Sequence, residues 1–113
     1  MYIFYEYPKC STCRKAKAEL DQLGLDVESI NIKENPPSAQ FLKELLEGSD
    51  LELKKFFNTS GQSYRSLGLK DKLPTLSLDE AVELLASDGM LIKRPILIKD
   101  GKVLQVGDRK SVV

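Results

Sequence analysis

The pair Asp100-Gly101, set between the apolar runs Pro95-Ile96-Leu97-Ile98-Lys99 and Lys102-Val103-Leu104-Gln105-Val106, constrains the fold of this chain more than any other feature. Asp-Gly is the dipeptide demanded by a two-residue hairpin turn with positive φ at both central positions, so this end of the chain predicts an antiparallel strand pair. The other end reads differently. Met1 to Tyr5 is a short apolar and aromatic strand that ends near Tyr7-Pro8. A helix is predicted from about Ser11 or Thr12 to Leu23, with Ala16, Leu20 and Leu23 on its inner face and Gly24 as its stop. Leu25 to Ile32 then reads as a second strand, carrying the β-branched Val27, Ile30 and Ile32, with Glu28 and Asn31 on the solvated side. A strand-helix-strand unit of this kind joins parallel strands with right-handed sense and lays its helix on one face of a sheet.

Between these ends the sequence is helical. Asn35-Pro36-Pro37 forbids helix at its own start, Ser38 can cap one, and Phe41, Leu42, Leu45 and Leu46 repeat at helical spacing up to Gly48. Leu53, Phe56 and Phe57 suggest a further short helix with Lys54 and Lys55 outside it. Residues 58–63 read as a polar loop and 64–72 carry mixed signals. Ser77-Leu78-Asp79-Glu80 forms a capping box that opens a helix with Ala81, Val82, Leu84 and Leu85 inward, ending before Gly89. The resulting order predicts an α/β, thioredoxin-like fold: β-α-β, a helical insertion, a helix and a β-hairpin on a mixed sheet, with residues 1–113 as a single domain.

Both cysteines of the chain fall in one stretch, Cys10-Ser11-Thr12-Cys13, at the turn from the first strand into the first helix. A helix N-terminus carries unsatisfied N–H groups and partial positive charge, which stabilise a thiolate over a thiol. Cys10 at the helix mouth is therefore the expected nucleophile. Cys13, three residues on and on the same side, is the expected resolving thiol of a reversible disulfide. Closed zinc sites need four N or S ligands, and this chain has two cysteines and no histidine, so no metal site is expected. The lack of histidine also excludes Cys-His hydrolase chemistry, leaving the helix dipole and nearby cations to activate the sulfur.

Composition narrows the partners. Seventeen Lys and Arg balance seventeen Asp and Glu, so no basic surface argues for direct nucleic-acid binding. The first residues do not read as a secretory signal and no run of apolar residues could span a bilayer, so no membrane is expected and the expected compartment is the cytoplasm. There a disulfide serves catalysis or sensing.

Cys10-Ser11-Thr12-Cys13-Arg14-Lys15-Ala16-Lys17, Asn35-Pro36-Pro37, Leu67-Gly68-Leu69 and Leu91-Ile92-Lys93-Arg94-Pro95-Ile96, in this order and spacing, resemble the ArsC/Spx family of thioredoxin-fold proteins. The similarity runs from Tyr2 to about Gly107. It implies one of two activities. The first is a thiol-disulfide oxidoreductase of arsenate-reductase-like type, with no bound cofactor, that draws on glutathione or a protein thiol through glutaredoxin or thioredoxin. The second is a redox-sensing regulator of Spx/MgsR type that binds RNA polymerase through the C-terminal domain of its α-subunit. In the reductases the nucleophile aligns with Cys10 and an oxyanion-binding arginine before a cis-proline aligns with Arg94. Two further arginines of those enzymes appear here as Lys54 and Val106, and Cys13 stands where they have no cysteine. The regulators share Cys-x-x-Cys as a redox switch and the run Leu104-Gln105-Val106-Gly107.

The resemblance thus implies Arg94 beside Cys10 and Pro95 as a cis-proline whose backbone meets an extended thiol substrate. A guanidinium stays protonated, lowers a neighbouring thiol's pKa and can hold an oxyanion or a glutathione carboxylate. Arg14, adjoining the pair in sequence, and Arg65 are the other basic candidates. The tyrosines and phenylalanines read as core and surface packing.

Overall fold

β1 (Tyr2–Glu6) is the strand on which the sheet is built, and its alternation already assigns two faces. Phe4 is fully buried on one side and Tyr5 buried on the other, so the strand must be covered from both sides. The computed structural model describes residues 2–107 and meets that requirement with a four-stranded mixed sheet of order β2-β1-β3-β4. β2 (Val27–Asn31) runs parallel to β1, Tyr2 opposite Val27 and Glu6 opposite Asn31. β3 (Ile96–Lys99) lies antiparallel on the other side of β1, and β4 (Lys102–Val106) antiparallel to β3.

The hairpin turns as its sequence requires, with φ of 52° at Asp100 and 77° at Gly101. Strand alternation alone does not predict one feature of it. The register shifts between Leu97 and Ile98, which oppose Gln105 and Val103 respectively. The shift lets Val103 and Val106, an odd three residues apart, both pack on the larger core while Gln105 is buried and Leu104 is exposed.

α1 (Ser11–Gln22) covers one face of the sheet, with Ala16 and Leu20 packed on Phe4 and Leu97. The expected third inner residue, Leu23, instead forms the helix C-cap and is 52% exposed, because Gly24 at φ 70° turns the chain away one residue after it. The other face carries α2 (Ala39–Glu47) and α5 (Leu78–Ser87), which pack on each other. Their caps are those predicted: Ser38 accepts from the Phe41 N–H, and Ser77 and Glu80 close a reciprocal capping box. Between them the chain makes a 3-10 turn at Leu53–Phe56 and the short helices α3 (Gln62–Ser66) and α4 (Leu69–Lys72). Part of α3 replaces the expected loop. One-turn helices carry too little periodicity to read in sequence, and these are held by burying Tyr64 and Leu69 in the larger core. Among the described residues no helix is long and apolar enough to cross a membrane.

The topology has one consequence for chemistry. The β1–α1 turn and the segment entering β3 lie at the same end of two adjacent antiparallel strands, so residues 7–13 and 93–95 are brought together although eighty positions separate them.

Candidate active site

Cys10 is the N-cap of α1. Its backbone is extended, at φ −90° and ψ 119°, and its Sγ accepts the backbone N–H of Cys13 at 3.4 Å, the place a serine or aspartate oxygen takes in an ordinary cap. The turn is pinned on both sides: the Cys10 N–H donates to the Tyr7 carbonyl at 2.9 Å and the Arg14 N–H to the Cys10 carbonyl at 3.1 Å. The sulfur is thus aimed along orphan N–H groups, where a negative charge is favoured.

The two thiols are driven apart in acidity. Partial burial opposes ionisation of Cys10, but hydrogen bonds from the Cys13 thiol and from the Cys13 and Thr12 N–H groups, with the charge of Arg94, outweigh it and hold Cys10 below the usual cysteine value. Cys13 is completely buried, and burial pushes its thiol up to about 12 against a hydrogen bond from the Tyr7 N–H at 3.5 Å. Donating its own proton to Cys10 and sitting beside that negative sulfur hold it there. One sulfur is half-exposed and biased toward its ionised form, and its partner is a buried sulfur held protonated beside it.

Arg94 is brought to this pair by the fold, and the Arg94–Pro95 peptide bond is cis. Its guanidinium carbon lies 5.3 Å from the centre of the Tyr7 ring, with Lys33 Nζ at 6.0 Å from the same centre. The Pro95 carbonyl already accepts the Gly107 N–H at 2.8 Å, so only its second lone pair is left for a substrate backbone. Arg14 is exposed on the first turn of α1, and Arg65 is exposed on the last turn of α3; neither is among the groups that perturb the cysteines. Val106 pairs with Ile96 on β4 and brings no charge. Lys54 lines a cleft of about 410 Å³ with Glu52, Lys55, Phe57, Thr59 and Lys93, and Cys10 is not among its walls. Among the described residues no cluster of three or more His, Cys, Asp or Glu is placed to hold a metal ion.

Tyr7 reads in the sequence as a packing aromatic, yet the structure makes it part of the site. Its backbone N–H, its carbonyl and its ring each touch a different member of the site. The only signal in the sequence is its position, immediately before Pro8 and three residues before Cys10.

Comparison with known proteins gives the family and the fold. The profile of the ArsC family matches residues 5–113. The chain is 61% identical over 108 residues to the uncharacterized protein YusI of Bacillus subtilis, covering 96% of this chain and 91% of that one. It is 33% identical over 107 residues to the global transcriptional regulator Spx of Lactiplantibacillus plantarum, covering 95% and 79%. The crystal structure of a possible arsenate reductase from Streptococcus mutans superposes with a TM-score of 0.95 at 69% identity, covering 98% of this chain and 93% of that one.

Proposed function

The chain belongs to the ArsC family, and from that premise we propose that it is a thiol-disulfide oxidoreductase of arsenate-reductase-like type, working in the reducing cytosol. The observation that carries this reading is the placement of two adjoining sulfurs, Cys10 Sγ capping a helix N-terminus and accepting the Cys13 N–H while Cys13 is buried behind it, which pushes their acidities in opposite directions. A structural cysteine pair has no need of such a division.

In the proposed cycle the Cys10 thiolate attacks one sulfur of a substrate disulfide. That S–S bond breaks, the departing sulfur leaves as a thiolate, and a mixed disulfide forms on Cys10. The negative charge on Cys10 is then gone, which removes one of the influences that kept Cys13 protonated. Cys13 gives up its proton, attacks Cys10 Sγ and expels the second substrate thiol, which carries that proton away. Two electrons have passed to the substrate and the chain holds a Cys10–Cys13 disulfide. Glutathione with glutaredoxin, or thioredoxin, supplies the two electrons that restore the dithiol. Arg94 holds an anionic group of the substrate or reductant, an oxyanion included, and the remaining acceptor of the Pro95 carbonyl faces an extended substrate chain.

A Cys13→Ser variant should accumulate its physiological partner as a mixed disulfide on Cys10, and Cys10→Ser should abolish turnover with glutathione and glutaredoxin or with thioredoxin. Turnover that persists in Cys10→Ser would sink the reading. The 33% identity to an Spx regulator over 95% of the chain supports a second reading, a redox-sensing regulator acting through the RNA polymerase α-subunit. That reading predicts no turnover, and binding to the C-terminal domain of the α-subunit whose strength differs between the dithiol and disulfide forms.

A further inference from the structure

Arg94 is held in an unusual way for a half-buried arginine. Its Nε and Nη1 are closed off from solvent and donate to no partner. The ion pairs among the described residues, Lys17–Asp21 and Lys43–Asp79, leave it without a carboxylate. What lies against it is an aromatic ring, that of Tyr7, 5.3 Å from centroid to guanidinium carbon. An arginine held by a carboxylate would be largely neutralised, whereas one held by a ring quadrupole keeps its whole charge. Tyr7 is also the residue whose N–H donates to Cys13 Sγ and whose carbonyl accepts the Cys10 N–H, so the ring that orients the cation belongs to the same loop as the sulfurs.

We infer that Tyr7 is the positioning residue of this site: its ring, in place of a carboxylate, orients the uncompensated Arg94 guanidinium toward an anionic group arriving at Cys10. Lys33, 6.0 Å from the same ring centre, places a second cation at the edge of the site and adds to the same field. The inference rests on the thiol chemistry proposed above, but it is a statement about which reagents Cys10 prefers and needs no turnover to be read.

The test uses two alkylating probes of matched size, iodoacetate, which is anionic, and iodoacetamide, which is neutral. Their rates at Cys10 are compared on the alkaline plateau, where the sulfur is fully ionised and its acidity drops out of the ratio. The intact protein should favour iodoacetate relative to the same ratio for the unfolded chain. Tyr7→Leu should lower that preference about threefold, the factor a partly exposed cation-π contact carries, while Tyr7→Phe, which keeps the ring, should retain it. In an Arg94→Ala background Tyr7→Leu should lower the preference by much less, since only the more distant Lys33 then faces the ring. Should Tyr7→Leu not fold, 3,4,5-trifluorophenylalanine at position 7 keeps the shape of phenylalanine and removes the negative ring face, with the same loss expected. An unchanged ratio in Tyr7→Leu or the fluorinated protein, or an equal fall with and without Arg94, overturns the inference. Absence of turnover with either reductant would instead sink the enzymatic reading and leave this one standing.

Discussion

Replacing Cys13 by alanine should flatten the alkaline fall of stability, by an amount the site itself sets. In the unfolded chain this thiol has its ordinary value of 9.0, and in the folded chain burial, with Cys10 beside it, pushes it up to about 12. Between those values the unfolded state has lost a proton that the folded state keeps. Each pH unit in that window therefore costs the native state about 1.4 kcal/mol. The whole interval amounts to roughly 4 kcal/mol, a large part of the ~5–15 kcal/mol that separates native from unfolded states of small domains. Cys10 has the opposite sign, since its folded value is depressed. Its stabilisation is complete above its ordinary value and is lost as pH falls through the folded value, so it adds no slope in the alkaline window.

The assay is urea unfolding of the reduced parent and of Cys13→Ala at several points between about pH 9 and about pH 11. Tyr5, raised above its ordinary value because it is buried and faces Glu28, is common to both proteins and cancels in the difference. The variant should start less stable at neutral pH, by about 1 kcal/mol for the vacated sulfur. The parent should lose its advantage over the variant at about 1.4 kcal/mol per pH unit. Parallel curves would refute the account of Cys13 as a thiol kept protonated by burial and by its charged neighbour.

Three further outcomes follow from other parts of the molecule. The rate of iodoacetamide capture at Cys10 should titrate with a midpoint below that of a free cysteine, and Cys13→Ala, which deletes the thiol donor, should raise that midpoint; a free-cysteine midpoint in the parent would remove the thiolate from the mechanism. Ser77→Ala, which breaks the capping box of α5, should cost about 1 kcal/mol in urea unfolding, with no change in Cys10 reactivity because α5 lies on the face of the sheet opposite α1. Gly89→Ala should destabilise by about 1–3 kcal/mol or more, since its new Cβ would overlap the backbone carbonyl of Ile32, one residue past β2, and backbone cannot swing aside as a side-chain end can; a variant as stable as the parent would show that this close approach relaxes freely.

Much of the fold was legible because its determinants are local. Asp100-Gly101 specifies its turn by the φ values those two residues tolerate, Ser38 and Ser77 cap the helices they precede, and Cys10-x-x-Cys13 places its sulfurs one turn apart wherever the helix begins. What failed to read was non-local in origin. Gln105 is buried and Leu104 exposed, against their hydrophobicity, because a register shift across β3 and β4 sets which way each side chain points. Leu23 lies outside the core because the helix stops under it, and α3 and α4 exist because Tyr64 and Leu69 have a core to enter.

The same division runs through the candidate site. Four consecutive residues suffice to specify a thiol at a helix mouth with a second thiol within reach, since the chemistry of a helix end is short-ranged. Tertiary structure alone decided that Arg94 stands by that thiol, that a tyrosine ring rather than a carboxylate holds it, and that burial separates the acidities of the two sulfurs. Those facts depend on the antiparallel pairing of β1 with β3 and on how much water the packed sheet excludes, and neither quantity is written in any local stretch of chain.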